Sequence, residues 1–193
     1  MLSSEESLKI LKETNALIEG HFILSSGLHS SKYVQCAQLM SKPNKATKIC
    51  ESLANKIKKE FNDFNLILSP AMGGIIVGYE LGKILDKQTI FSERVNNEFK
   101  LRRDFTIKEG DKVLIVEDVI TTGKSSMECS KLVTLNNANI VGYACIIDRS
   151  NGKSKIKGKI ISQVQLNIPT YSKDNLPKEL LSIEAVKPGS RNL

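Results

Sequence analysis

An α/β fold with a mostly parallel sheet is predicted by three features of the 193-residue sequence. Short apolar, β-branched runs recur at 65–69 ("NLILS"), 88–93 ("QTIFSE"), 113–117 ("VLIVE") and 140–147 ("IVGYACII"). Helix-compatible stretches separate several of them, notably 75–85 and 124–135, and such alternation packs as a parallel sheet covered by helices. Polar loops follow three of the runs: "SPAMGG", "EDVITTGKS" and "DRSNG". Ligands of open parallel sheets bind beyond the carboxyl ends of the strands, so these loops mark one end as functional.

The elements follow in order. Ser3 and Glu6 have capping-box spacing, Leu8, Leu11 and Ile18 fall near one helical face, and Gly20 supplies a stop. Residues 21–36 read as a hairpin or short strands around a Ser/Gly turn. Pro43 opens the next helix, with Ile49, Leu53, Ala54 and Ile57 as its apolar face. In "FSERVNNEFKLRRDF", Asn96-Asn97 suits a tight hairpin turn. Alternation over 99–104 sets Lys100 and Arg102 on one face, with Phe99, Leu101 and Arg103 on the other.

Composition narrows the function. A 40% hydrophobic and 25% charged chain of this length suits one soluble domain with a core. No apolar run reaches the roughly 18 residues of a membrane span, and the acidic, amphipathic "MLSSEESLKI" is unlike a secretory signal. A cytoplasmic location is the expectation. The four cysteines form no C-x-x-C pair and read as buried free thiols; two histidines leave little scope for a His-rich metal site. The net charge of +7 suits anionic substrates. Residues 150–193 hold eight Lys or Arg against three Asp or Glu, but spread out and without interleaved aromatics, so no nucleic-acid site is expected.

The stretch "VLIVEDVITTGKSS" carries the chemistry. Gly123-Lys124-Ser125 is the ending of a Walker A loop, but the first glycine of that pattern should stand at 118, where the chain has Asp. What remains is strand, loop and helix. Thr121 through Ser125 read as a phosphate cradle of backbone N–H groups and hydroxyls, or as an ordinary helix N-cap, or as both. Lys124 need not touch phosphate through its side chain. Glu117 and Asp118 need a different partner, and vicinal sugar hydroxyls are one, since a carboxylate accepts hydrogen bonds from O–H groups.

With those residues in view, the stretch resembles the signature of type I phosphoribosyltransferases: a hydrophobic strand, an acidic pair and a Thr/Gly/Ser loop. Further segments resemble the orotate-using, short-lid bacterial-like branch. "GHFILSSGLHSSKYVQC" resembles its base-binding segment, "LSPAMGGIIVGYELG" its pyrophosphate loop, "FSERVNNEFKLRRDF" its lid and "CIIDRSNG" its fourth-strand end. The resemblance implies a five-stranded, mostly parallel sheet flanked by helices, within a single domain. A hood from about 1–40 and part of 155–193 would cover a core of about 41–155.

It also implies transfer of the 5-phosphoribosyl group from 5-phosphoribosyl 1-diphosphate to orotate, with Mg²⁺ held mainly through substrate, in a homodimer with shared active sites. Glu117 and Asp118 would hold the ribose hydroxyls and favour an oxocarbenium-like centre. Val119, Ile120, Thr121, Thr122, Gly123, Lys124 and Ser125 would surround the 5′-phosphate. Arg94, Lys100, Arg102 and Arg103 would meet pyrophosphate from the lid, or simply form an exposed basic hairpin. Thr121 and Arg149 would contact orotate, unless Arg149 pairs with Asp148 or another acid. The lid has no His, so the general acid familiar from longer lids has no counterpart, and Lys100 is a substitute candidate only. Neither the turn at Ser25-Ser26 nor "AMGG" carries the Lys found in many relatives. Transfer to another base, or a non-catalytic regulator binding nucleic acid, are the alternatives.

Overall fold

The computed structural model describes residues 1–24 and 26–188; Ser25 of the base-binding turn and the last five residues of the expected hood lie outside the described residues. The large sheet has six strands: β3 (Leu66–Pro70), β4 (Gln88–Val95), β5 (Glu98–Leu101), β6 (Lys112–Ile120), β7 (Asn139–Asp148) and β8 (Ile160–Gln165). Their order is β5-β4-β3-β6-β7-β8. All neighbours are parallel except β4 and β5, so the five expected parallel strands gain an antiparallel sixth from the hairpin. The chain steps outward from β3 to β4 and returns to place β6 on the other side of β3. That reversal opens a crevice at the carboxyl ends of β3 and β6, the usual ligand position in such a sheet.

Period-2 alternation in β6 explains the uniformly apolar "VLIV". Leu114 and Val116 join the core with helices α3 (Pro43–Glu60) and α4 (Gly73–Leu85) through Ile49, Leu53, Ile57, Val77 and Leu81. Val113 and Ile115 join the core on the opposite face with Cys129 and Val133 of α5 (Lys124–Leu135). Both faces are dry, so every residue of the run is apolar. Pro43 does occupy the first turn of α3, and the four expected apolar residues of that helix are at most 1% exposed.

Helix α1 (Ser4–Glu13) has the expected capping box, with Ser3 Oγ accepting from Glu6 N–H and Glu6 accepting from Ser3 N–H. It does not run to Gly20. Thr14 caps it, Asn15 takes a left-handed φ of 57°, and the Ala16 N–H returns to the Leu11 carbonyl. Ile18 and Gly20 instead belong to β1 (Leu17–Ile23), which pairs antiparallel with β2 (His29–Val34). β9 (Thr170–Tyr171) joins β2, and the Val186 N–H donates to the His21 carbonyl while the Ile23 N–H donates to that of Val186. The amino-terminal hairpin and the carboxyl-terminal segment thus form one small sheet beside the large one. β8 lies within the stretch shared between hood and core, and it is an edge of the large sheet. No helix among the described residues is long and apolar enough to cross a membrane.

Candidate active site

β6 runs through the acidic pair to Ile120, so the pair obeys strand geometry. Adjacent side chains on a strand point to opposite faces. Glu117 turns toward α5, where the Ser126 hydroxyl donates to its Oε2 at 2.9 Å. Asp118 turns toward α4, and a Cβ built on Gly73 would lie 2.4 Å from its Oδ2. The two carboxylates therefore straddle the sheet at the end of β6. One faces the loop that opens α5, and the other faces "SPAMGG", across the crevice between β3 and β6.

Burial governs both. Glu117 is 7% exposed, and its carboxyl is pushed up to about 7 by loss of solvent, opposed by the Ser126 hydroxyl and reinforced by the Asp118 charge. Asp118 is also raised, first by burial, against hydrogen bonds from backbone N–H groups.

The loop after β6 forms a pocket of about 160 Å³ lined by Glu117, Val119, Thr121, Thr122, Gly123, Lys124 and Ser125. Ile120 is fully buried beneath it. Gly123 is the N-cap of α5 with φ 77°, and a Cβ there would meet Ile156 at 2.6 Å. Glycine is needed for the left-handed turn and for this close approach. Gly123 offers no side chain to cap α5, the Thr122 hydroxyl accepts from the Lys124 N–H at 3.3 Å, and the pocket lies at the start of the helix, where anion sites commonly form. The Lys124 side chain is 75% exposed, with its ammonium 4.0 Å from Glu128. A larger open groove of about 400 Å³ lies at the far edge, between α1, α3 and β8. Its lining contains no residue of the β3 or β6 loops, whereas the smaller pocket is lined by the acidic Glu117 and the loop that follows it.

Arg149 follows β7, and its N–H donates to the Ile120 carbonyl, which sets it beside Thr121. Its guanidinium makes no ion pair among the described residues; Asp148 instead accepts from the Ser150 N–H. Burial weakens its hold on the proton, opposed by neighbouring Tyr33 of β2. The small sheet thus brings Tyr33 near a half-buried cation that has no counter-ion among the described residues. Thr121 is exposed at the same rim.

The hairpin turn is as expected: Val95 pairs with Glu98, and Asn96 and Asn97 have φ 50° and 65°. The alternation beyond it stops early. β5 ends at Leu101, Arg103 and Asp104 take left-handed φ values of 60° and 58°, and Arg102 and Arg103 converge on Glu93 at 3.1 and 2.5 Å. Two guanidiniums sharing one carboxylate override the strand period there. Arg94 lies over the Phe99 ring at 4.2 Å and pairs with Glu128 at 2.6 Å. Lys100 is exposed and, among the described residues, has no carboxylate partner. In this conformation the hairpin is an edge of the sheet, with three of its four candidate cations paired internally.

Sequence reading missed Gly73, Tyr33 and Ser126. Gly73 and Tyr33 act across the fold and leave no local pattern. Ser126 had a signal: it shares the buried face of α5 with Cys129 and Val133, and a hydroxyl on such a face requires a partner.

A parallel sheet covered on both faces, with a buried acidic pair and a small polar pocket at the end of β6, is the arrangement that the resemblance to phosphoribosyltransferases implies. Residues 38–172 match the phosphoribosyl transferase domain, and the chain belongs to that family. Over all of both chains it is 44% identical to the orotate phosphoribosyltransferase of Parvibaculum lavamentivorans and 42% identical to that of Maricaulis maris. The fold is shared with the crystal structure of orotate phosphoribosyltransferase from Aeropyrum pernix (TM-score 0.72, 22% identity, 82% of this chain and 92% of that one). It is also shared with adenine phosphoribosyltransferase from Thermoanaerobacter pseudethanolicus (TM-score 0.62, 20% identity, 70% and 88%), so fold alone does not select the base.

Proposed function

We propose that the chain transfers the 5-phosphoribosyl group from 5-phosphoribosyl 1-diphosphate to orotate, giving orotidine 5′-monophosphate and pyrophosphate. The observation that carries the choice of base is Arg149, a half-buried guanidinium with no ion pair among the described residues, beside the phosphoribosyl pocket. A carboxylate-bearing base supplies the missing counter-ion and matches the fork of donors. Adenine, with no anionic group, leaves that cation desolvated and unpaired.

In this reading Val119 through Ser125 hold the 5′-phosphate at the start of α5. Glu117 and Asp118 take the ribose hydroxyls from the two sides of β6, and their charge stabilises the positive ribosyl centre as the C1–O bond to pyrophosphate breaks. Orotate N1 forms the new bond to C1 as the C1–O bond breaks, and its proton passes to the departing pyrophosphate or to solvent. Lys100 and the lid arginines serve the leaving group once their pairs with Glu93 and Glu128 exchange for pyrophosphate oxygens. The hard carboxylate oxygens of Glu117 and Asp118 suit Mg²⁺, which would neutralise diphosphate charge when bound with the substrate. Met72, Ile76 and Tyr79 expose an apolar row at the start of α4, and we place a second copy of the chain there; sedimentation as a monomer would refute that placement. The four free buried thiols fit a reducing cytoplasm, which cell fractionation checks.

Incubation with Mg²⁺, 5-phosphoribosyl 1-diphosphate and orotate should consume orotate, read by its ultraviolet absorbance. Turnover of a purine with orotate untouched would overturn the base assignment. Salt-sensitive nucleic-acid binding without any turnover would instead favour a regulator.

A further inference from the structure

Between β7 and β8 the chain crosses over the phosphate loop. Its near end is tied down: the Arg149 N–H donates to the Ile120 carbonyl, and the Ser150 N–H donates to the Asp148 carboxylate at 2.8 Å. Asn151 and Gly152 then reverse the chain with left-handed φ values of 52° and 71°. The Lys155 N–H donates to the Thr122 carbonyl at 3.1 Å. One residue on, the Ile156 side chain reaches Gly123, where a Cβ would lie 2.6 Å from Ile156 Cγ1 and 2.8 Å from its Cδ1. Lys153, Lys155 and Lys157 are exposed, whereas Ile156 is half-buried and packs on the core that holds Ile120, Cys129 and Val133. The far end is fixed too: a Cβ at Gly158 would lie 2.9 Å from the Tyr143 ring, whose hydroxyl bonds Ser130 of α5 at 2.8 Å.

This strap supplies what the loop lacks. Glycine has no side chain with which to anchor itself and ranges over more backbone conformations than any other residue, so a glycine at φ 77° keeps one shape only where its neighbours hold it. Ile156 suits that task, because a β-branched side chain is stiff at χ1. It grips Gly123 from one side while the Lys155 N–H fixes the carbonyl of the residue before it. Ile156 does not line the pocket, so it acts only through the loop. Relying on the phosphoribosyl-transfer reading above, we propose that Ile156 is a positioning residue: it holds Gly123 in its left-handed turn and so keeps the phosphate loop in the shape that receives the 5′-phosphate.

The test uses the full chain with Ile156→Ala, Ile156→Val, and Gly123→Ala alone and combined with Ile156→Ala. In Ile156→Ala the KM for 5-phosphoribosyl 1-diphosphate should rise about tenfold, the worth of one hydrogen bond to a charged group, with kcat within about twofold of the parent. Ile156→Val keeps a branched side chain over Gly123 and should stay within about threefold of the parent. Gly123→Ala drives a methyl into Ile156, but the next atom that methyl meets is Ser154 Cβ at 3.7 Å, an ordinary contact. Truncating Ile156 should therefore relieve the clash, and the double variant should melt no lower than Gly123→Ala alone. Additive losses in melting temperature, or a fall in kcat with KM unchanged in Ile156→Ala, overturn the proposal. If orotate is not a substrate, the kinetic arm fails in the parent too. Titration of the backbone amides of residues 121–125 with inorganic phosphate, followed by NMR, then decides the role of Ile156. Ile156→Ala should need about tenfold more phosphate than the parent. Equal titration in the two proteins, or none in either, overturns the proposal.

Discussion

Gly73→Ala should damage activity while sparing the fold. A Cβ at this position would stand 2.4 Å from Asp118 Oδ2, 2.7 Å from Cγ and 2.8 Å from Oδ1. Ordinary van der Waals contact begins near 3.4 Å, so the carboxylate must retreat by about 1 Å. Asp has one methylene between carboxylate and backbone, and its Cα is fixed in the β6 ladder; the retreat therefore re-aims the group. Misplacement of a catalytic group by about 1 Å can cost on the order of 10²-fold. Position 73 starts a helix with no left-handed φ, so alanine suits its backbone and should stabilise the chain by roughly 0.4–1 kcal/mol if the contact is relieved cheaply. Steady-state kcat/KM for 5-phosphoribosyl 1-diphosphate should drop by about two orders of magnitude with a melting temperature at or above the parent's. Activity within threefold of the parent would refute the claim that Asp118 must sit where Gly73 lets it.

Other outcomes follow from the same geometry. Arg149→Met should raise the KM for orotate by about 10- to 100-fold, the value of one or two charge-assisted hydrogen bonds, while leaving the KM for the phosphoribosyl donor within about twofold; equal effects on both substrates would detach Arg149 from the base. Asp118→Asn should lower kcat more than Lys124→Ala, because the Lys124 ammonium faces solvent; the reverse order in steady-state assays would undo both assignments. Glu117→Gln should stabilise the ligand-free protein at pH 8. The folded carboxyl at about 7 lies above its ordinary 4.5, so the folded state binds the extra proton and stability falls as pH rises through that window. The variant escapes that loss, worth up to about 3 kcal/mol, and chemical denaturation at pH 5 and pH 8 should show the gain only at the higher pH.

What was legible in the sequence was local and periodic. "VLIV" announced a strand buried on both faces, and the structure divides it residue by residue between two cores. Ser3 and Glu6 announced the start of α1, and Asn96-Asn97 the hairpin turn. Asp118 excluded a Walker loop and pointed to sugar hydroxyls. The end of α1 was misread because Gly20 looked like a stop, whereas Asn15 supplied the left-handed residue five positions earlier. β8 escaped notice because "IISQVQ" mixes polar and apolar residues on a sheet edge. Lid alternation failed at Arg102 and Arg103 because one distant feature, the Glu93 carboxylate, outweighed strand periodicity. The division of Glu117 and Asp118 between two helices was implicit in their adjacency on a strand, but its consequence required knowing which helix covers which face.

The most direct measurement offers the protein orotate and adenine together, with Mg²⁺ and limiting 5-phosphoribosyl 1-diphosphate, and identifies the nucleotide formed. Orotidine 5′-monophosphate and pyrophosphate should appear in equal amounts, with adenine left unchanged. Adenosine monophosphate as the product, or hydrolysis of the donor without any nucleotide, would contradict the reading of Arg149 and the acidic pair.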